Sequence, residues 1–170
     1  PQPDVVGEEQ RDATLAFLIV GSGLKVGLVP LHVWLPLAYP AAPIPAAAVI
    51  SGAISKAGVI GLLRFLPLDA ALPDWGAALA AVGLVSAFYG VAVGITQANP
   101  KTVLAYSSVS QMGFIATVLG MALAAGNGGA TMAVAFYAAH HVLAKGALFL
   151  AVGVATTGGA RRLWPVLLPA

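Results

Sequence analysis

Long apolar runs separated by short links dominate the pattern of the chain. Each run has about 20 residues, the length that an α-helix needs to cross a hydrocarbon core of about 30 Å. The links "PLAYPAAP", "PLDAALPD", "QANP" and "AAGNGG" are rich in residues that end helices. Because these links are short, neighbouring helices are expected to run antiparallel. The pattern predicts an all-α membrane protein, a polytopic bundle of about five transmembrane helices near residues 13–35, 45–66, 75–98, 101–124 and 130–156.

The two ends of the chain are more polar than its middle. Residues 1–12, "PQPDVVGEEQRD", predict a polar loop and lack the basic-then-apolar order of a signal peptide. Residues 158–170 carry Arg161 and Arg162 and predict a basic cytoplasmic loop with a truncated end. We therefore expect a fragment of a longer membrane protein, with its five-helix transmembrane region at residues 13–157.

Composition agrees with a membrane protein. Of the 170 residues 59% are hydrophobic and only 8% are charged, against about 25% charged in soluble domains. The chain has no cysteine, which excludes metal or iron–sulfur centres held by thiolates of this chain. Its net charge of +2 comes from scattered basic residues, so a nucleic-acid role has no support.

The ionisable residues differ in the depth at which they are expected to lie in the membrane. Every arginine and carboxylate falls in a loop or at a segment end, whereas Lys25, Lys56 and Lys145 lie inside apolar segments, and His141 is one turn from Lys145. A charged lysine at the bilayer centre costs about 2.5–3.5 kcal/mol on insertion scales. A desolvated lysine can lose its proton whereas arginine stays charged, so this distribution suits a proton path. Alternatively the lysines are structural, and they snorkel or pair with carboxylates from outside the chain.

The stretch "GSGLKVGLVPLHVWLP" predicts a broken helix. Lys25 and His32 are seven residues apart and would share a helix face, but Pro30 lies between them and removes a backbone hydrogen bond. Broken helices beside ion routes occur in transporters. His32 is a candidate relay residue, or an interfacial histidine.

Further polar groups are candidates for holding water or relaying protons. Ser51 and Ser55 lie beside Lys56 on the second segment, although serines also bind carbonyls of their own helix. The fourth segment contributes Ser107, Ser110 and Gln111, which alternatively bind partner helices.

On the fifth segment Tyr137, His141 and Lys145 follow at steps of four and form one stripe. Alternatively His141 and Lys145 only stabilise each other's hydrogen bonds. Two histidines are too few for a metal site, so no metal ligand or catalytic residue is assigned.

Four motifs carry a resemblance to a known family: "GLKVGLVPLHVWLPLAYPAAP", "GAISKAGVIGLLRF", "NPKTVLAYSSVSQMGF" and "HHVLAKGALFLAVG". Together they cover most of residues 21–153. With these motifs the chain resembles the antiporter-like membrane subunits of respiratory complex I, group 4 membrane-bound hydrogenases and Mrp-type cation antiporters. That resemblance implies a larger fold of about fourteen helices with inverted repeats and broken helices.

The resemblance also implies roles for particular residues. Lys25 would match the lysine of the seventh helix, Lys56 the central lysine of the eighth, and His141 with Lys145 the relay of the eleventh. Many relatives have an acidic residue where this chain has Leu37, and the acidic partner of Lys25 would lie outside the chain.

The function implied is proton translocation by a non-redox subunit of a complex I-like NADH-quinone oxidoreductase or a hydrogenase, with no cofactor on this chain. Its partners would be other membrane subunits, the missing helices, the lipid bilayer and protons, or Na⁺. The alternatives are a subunit of an Mrp-type Na⁺/H⁺ antiporter and a non-conducting scaffold. The implied location is the inner membrane of a prokaryote, with Arg161 and Arg162 on the cytoplasmic side.

Overall fold

The computed structural model describes residues 3–157, with side chains described for 7–156. All regular structure in this range is helical. A short 3₁₀ turn at Leu31–Val33 precedes α2, and a π-helical segment at Ile50–Ile54 joins α3 to α4. The helices are α1 Pro3–Val26, α2 Trp34–Ala41, α3 Ile44–Val49, α4 Ser55–Phe65, α5 Pro73–Gly94, α6 Pro100–Ala125 and α7 Ala130–Thr157.

Five spans within the described residues are long and apolar enough to cross a membrane. The first combines α1 and α2, the second combines α3, the π segment and α4, and the remaining three are single helices. This confirms the predicted all-α bundle of about five transmembrane helices. The ends of α5, α6 and α7 lie within four residues of the predicted limits.

The first span is broken, as predicted, but the break begins before Pro30. Helix α1 ends at Val26, and Gly27 follows with a φ of 84°. This backbone conformation favours glycine, and a β-carbon there would also collide with the Leu35 side chain. The backbone N–H of Val29, which lies in the break, donates to the Ser86 hydroxyl of α5 at 2.9 Å. The neighbouring helix therefore stabilises the interruption.

The amino-terminal segment differs from the sequence-based expectation. A polar loop was expected over residues 1–12, but α1 already begins at Pro3. Proline suits the first position of a helix, and no further proline interrupts the chain between Pro3 and Pro30. Polarity of this segment therefore does not decide its conformation. The expected loop at 158–170, with Arg161 and Arg162, lies outside the described residues.

Side-chain contacts show which ends of the helices lie together. Trp75 at the start of α5 donates to Asp12 of α1 at 3.1 Å. Lys101 at the start of α6 donates to the carbonyl of Ala42, just after α2, at 2.8 Å. Asp12 and Lys101 therefore mark opposite ends of the bundle, in agreement with antiparallel neighbouring spans.

Helices α5 and α6 pack backbone to backbone. Gly76, Gly83 and Gly90 recur every seven residues on α5 and face α6. A β-carbon at Gly83 would lie 2.5 Å from the backbone nitrogen of Thr117 and 2.7 Å from the Gly113 carbonyl oxygen. Glycine therefore permits the close approach, as expected where lipid supplies no hydrophobic drive for helix association.

Candidate functional site

Lys56 lies in the first turn of α4, directly after the π segment, and its side chain is buried. A π segment widens one helical turn, and such segments are frequent at functional sites. The Lys56 amine turns back along the span and donates to the Ser51 carbonyl at 2.9 Å. The amine is thus held in the interior, near the middle of the second span.

A second contact joins Lys56 to another helix. Its Nζ lies 2.6 Å from Nδ1 of His141. His141 belongs to α7, and its side chain is only 4% exposed. A protonated Lys56 donates to a neutral His141, and a neutral Lys56 amine accepts from an N–H on Nδ1. The contact is therefore possible before and after Lys56 loses a proton, which suits a proton-exchanging pair.

Lys145 lies one turn beyond His141 on α7 and is 2% exposed. Its amine donates to the Leu104 carbonyl of α6 at 2.8 Å. We call Lys56, His141 and Lys145 the buried cation cluster. Among the described residues the only ion pair joins Arg11 and Asp12, away from this cluster. Backbone carbonyls, not carboxylates of the described chain, thus receive the hydrogen bonds of both buried amines.

Polar side chains of α6 lie beside the cluster. The Tyr137 hydroxyl of α7 donates to Oε1 of Gln111. A cavity of about 200 Å³ is lined by Ser107, Gln111, His140, His141, Ala144, Lys145 and Leu148. Ser110 does not line this cavity, and its backbone packs against Gly90 of α5. Ser107, Gln111 and Tyr137 therefore adjoin the cluster, and Ser110 does not.

Lys25 and His32 do not join the buried cation cluster. Lys25 is exposed on α1, and no described side chain hydrogen-bonds or pairs with it. His32 is buried in the break, where its ring packs edge-on against Tyr89 with centroids 4.9 Å apart. The described chain thus supplies Lys25 with no acidic partner and gives His32 an aromatic environment.

Tyr39 is the residue at this site that the sequence interpretation missed. It is fully buried, and its hydroxyl faces those of Ser51, Ser55 and Ser108. The sequence interpretation placed Tyr39 in a link after the first span, whereas α2 continues to Ala41. The sequence did offer one signal for this residue. Tyr39 carries a hydroxyl within the broken span and lies close in sequence to Ser51 and Ser55.

The described residues contain no group of three or more histidine, cysteine or carboxylate side chains arranged to hold a metal ion. What the site holds instead is two amines, an imidazole, a phenol and several hydroxyls. Groups of these types are able to exchange protons or to bind water.

Sequence comparison gives a family match. A family model described as "NADH:quinone oxidoreductase/Mrp antiporter, TM" matches residues 5–162. Hydrogenase-4 component B of Escherichia coli (strain K12) is 37% identical over 158 residues, which cover 83% of this chain and 23% of that protein. An Na(+)/H(+) antiporter subunit of Bacillus subtilis (strain 168) is 34% identical over 158 residues, which cover 88% of this chain and 20% of that protein.

NADH-quinone oxidoreductase subunit N of Desulforudis audaxviator (strain MP104C) is 37% identical over 158 residues, 88% of this chain and 30% of that protein. The chain therefore spans between a fifth and a third of the length of these relatives.

Proposed function

The chain belongs to the NADH:quinone oxidoreductase/Mrp antiporter transmembrane family, and on that premise we propose that it carries protons across an energy-transducing membrane. It is a multi-pass membrane protein with five candidate spans in its described part. In this proposal the buried cation cluster of Lys56, His141 and Lys145 loads and passes protons, with water filling the gaps.

One observation carries this proposal: the 2.6 Å contact between Lys56 and His141 inside the bundle. A permanent charge there would call for a carboxylate partner, because an unpaired buried charge is costly. Two amines and an imidazole held by each other and by backbone carbonyls are instead able to give up protons. The arrangement favours transfer over permanent pairing.

We further propose which kind of complex the subunit serves. Two relatives are named as a hydrogenase component and an NADH-quinone oxidoreductase subunit. Similarity to them supports the proposal that this chain belongs to a non-redox subunit of one of those two complexes. Electron transfer would then occur in partner subunits, and this chain would hold no cofactor. Other membrane subunits and further helices of the same subunit would cover its exposed apolar faces.

The location follows from the same proposal. We place the subunit in the inner membrane of a prokaryote, with the Arg161–Arg162 side in the cytoplasm. Lys101 lies at the end of the bundle where α7 finishes, and an excess of basic residues marks cytoplasmic loops.

The proposal is tested with Lys56→Met and Lys145→Met in the whole subunit, within its native complex in inverted membrane vesicles. Each variant should lower the protons moved per electron by about tenfold or more, because the cluster loses an exchangeable amine. Lys101→Met is the matched control, since its amine caps carbonyls at the bundle end. If both cluster variants kept the proton-to-electron ratio of wild type, the proposal would fail.

The second candidate function is Na⁺/H⁺ antiport, which the similarity to the Bacillus subtilis antiporter protein favours. The same residues would then exchange protons against a cation gradient. Sodium-dependent proton movement in vesicles without an electron donor would support antiport over a redox-driven pump. A scaffold, by contrast, would tolerate methionine at Lys56 and Lys145 with altered assembly only.

A further inference from the structure

An apolar groove of about 260 Å³ runs between α4 and α7. We call it the lateral groove. Its walls are one face of each helix, with residues at the spacing of successive helical turns: Lys56, Val59, Ile60 and Leu63 of α4, and Ala135, Ala138, Ala139 and Val142 of α7. The Lys56 amine already donates to the Ser51 carbonyl and lies against His141, and the rest of the lining is aliphatic. The lateral groove therefore suits an apolar occupant.

A second cavity, of about 560 Å³, lies where α4 ends and α7 begins. We call it the end cavity, and it adjoins the lateral groove because Leu63 lines both. Trp75 lies in the first turn of α5 at the same end of the bundle, and tryptophan is enriched at the membrane interface. The end cavity therefore lies near the depth of the lipid headgroups, and the lateral groove extends from it toward the middle of the bilayer.

One cation and one anion line the end cavity. Arg64 and Asp69 are both exposed, and neither side chain has a hydrogen bond or an ion pair within the described residues. A β-carbon at Gly128 would collide with the Asp69 carboxylate, so this carboxylate lies against the turn before α7. Two opposite charges that share a cavity without pairing can each bind a different group of one ligand. This charge pattern fits a zwitterion.

A phospholipid with an ethanolamine headgroup has the chemistry that both cavities require. Its phosphate suits the planar N–H donors of a guanidinium, and its amine has N–H donors for a carboxylate, which a trimethylated choline lacks. Its acyl chains continue from the headgroup into apolar surroundings, as the lateral groove continues from the end cavity. An α-helix is about 10–12 Å across with its side chains. A neighbouring helix can therefore cover the lateral groove but is too wide to enter it, whereas one acyl chain can enter.

We propose that the end cavity and the lateral groove together bind one molecule of phosphatidylethanolamine. Its phosphate binds Arg64, its amine binds Asp69, and one acyl chain lies between α4 and α7. The end of that chain lies beside Lys56 and closes the buried cation cluster on this side. The site goes beyond the proposed function, because it does not depend on which ion the subunit carries.

Photolabelling of the whole subunit within its complex tests the acyl-chain position. The probe is phosphatidylethanolamine with a diazirine on one acyl chain, and mass spectrometry identifies the labelled peptides. Label should fall on the groove-lining parts of α4 and α7, and unlabelled phosphatidylethanolamine should compete it away. Ala135→Phe fills the groove and should lower this labelling by about tenfold or more. Ala133→Phe is the matched control, because Ala133 is exposed on the same helix and does not line the groove.

Charge variants test the headgroup position. In wild type, phosphatidylethanolamine should compete with the probe better than phosphatidylcholine does. Asp69→Asn should remove this preference, because the carboxylate that binds the amine is lost. Arg64→Gln should weaken competition by both lipids by about threefold or more, because both carry the phosphate. Asp74→Asn is the control, since Asp74 is exposed at the same end of the bundle but does not line the end cavity.

Three results would overturn the inference. Label could spread evenly over all lipid-facing peptides, Ala135→Phe could leave the labelling of α4 and α7 unchanged, or the two lipids could compete equally in wild type. If Ala135→Phe fails to assemble, Ala139→Leu replaces it, because Ala139 is also exposed and lines the groove. None of these measurements uses transport, so failure of the lipid site is distinct from failure of the proposed function.

An experimental map of the whole complex in a phosphatidylethanolamine-containing nanodisc gives an independent check. It should show a lipid phosphate within about 4 Å of the Arg64 guanidinium and an acyl chain along the lateral groove. Protein side chains filling the groove, or an empty groove, would contradict the inference.

Discussion

The Lys56 amine lies 2.6 Å from Nδ1 of His141, and this contact joins the second and fifth spans in the interior of the bundle. It links a residue that follows a π segment to the middle of an unbroken helix. The contact can form with either residue as the donor, so transfer of a proton need not break the link between the helices.

His141 variants separate proton carriage from positioning. His141→Gln keeps an oxygen that can accept from Lys56, whereas His141→Leu keeps neither acceptor nor donor. If His141 carries protons, both variants should lower the proton-to-electron ratio by a similar factor, about two- to threefold, because neither side chain exchanges protons as imidazole does. Ratios measured in vesicles that show wild-type pumping for His141→Gln would instead assign His141 a positioning role.

Glycine at the α5–α6 contact is predicted to be essential for assembly. Gly83→Ala would force a β-carbon to within 2.5 Å of the Thr117 backbone nitrogen, so the two helices must separate. We expect a loss of about 1–3 kcal/mol of stability, in the range found for overpacked cores. The amount of assembled complex on a native gel checks this.

Gly21→Ala is the matched control, because a β-carbon at Gly21 meets nothing within 4 Å in the described chain. Equal assembly of Gly83→Ala and Gly21→Ala would show that the close approach of α5 and α6 is dispensable.

Lys101 is predicted to stabilise the fold without taking part in transport. Its amine donates to the carbonyls of Ala42 at 2.8 Å and Pro40 at 3.4 Å, where α2 ends and carbonyls lack helical partners. Lys101→Met should cost about 1–3 kcal/mol, seen as a lower unfolding temperature of the solubilised complex. Lys101→Arg keeps the hydrogen-bond donors and the charge, so it should restore most of the lost stability. A fall in the proton-to-electron ratio for Lys101→Met would contradict this assignment.

Lys25 is predicted to find its partner outside the described residues. Within them it is exposed and unpaired, and a charged lysine at this depth is unfavourable without a counter-charge. A structure of the whole subunit should therefore place a carboxylate oxygen within about 4 Å of its amine, the range of an ion pair. A Lys25 side chain that faces lipid in that structure would contradict the prediction.

Local signals in the sequence were sufficient for much of the fold. The apolar runs and their Pro- and Gly-rich links predicted the five spans, and Pro30 predicted the break, because these signals act within a few residues. The loop expected over residues 1–12 was wrong from Pro3 onward, since polar composition does not distinguish a helix from a loop.

The site was less accessible to prediction because it depends on contacts between spans. Lys56, His141 and Lys145 were named from their depth, but the direct Lys56–His141 contact requires α4 to meet α7. The environment of Tyr39 was missed because Ser51, Ser55 and Ser108, whose hydroxyls lie near its own, come from other elements. No local sequence pattern indicates such a contact between spans.

Lys56→Arg in the whole subunit tests whether Lys56 works by releasing its proton. Arginine keeps the positive charge and the ability to donate to Ser51 and His141, but it stays protonated in proteins. We expect a complex that assembles and transfers electrons while the proton-to-electron ratio falls to about a tenth of wild type or less. A wild-type ratio in Lys56→Arg would contradict proton release by Lys56, because a fixed charge would then be sufficient.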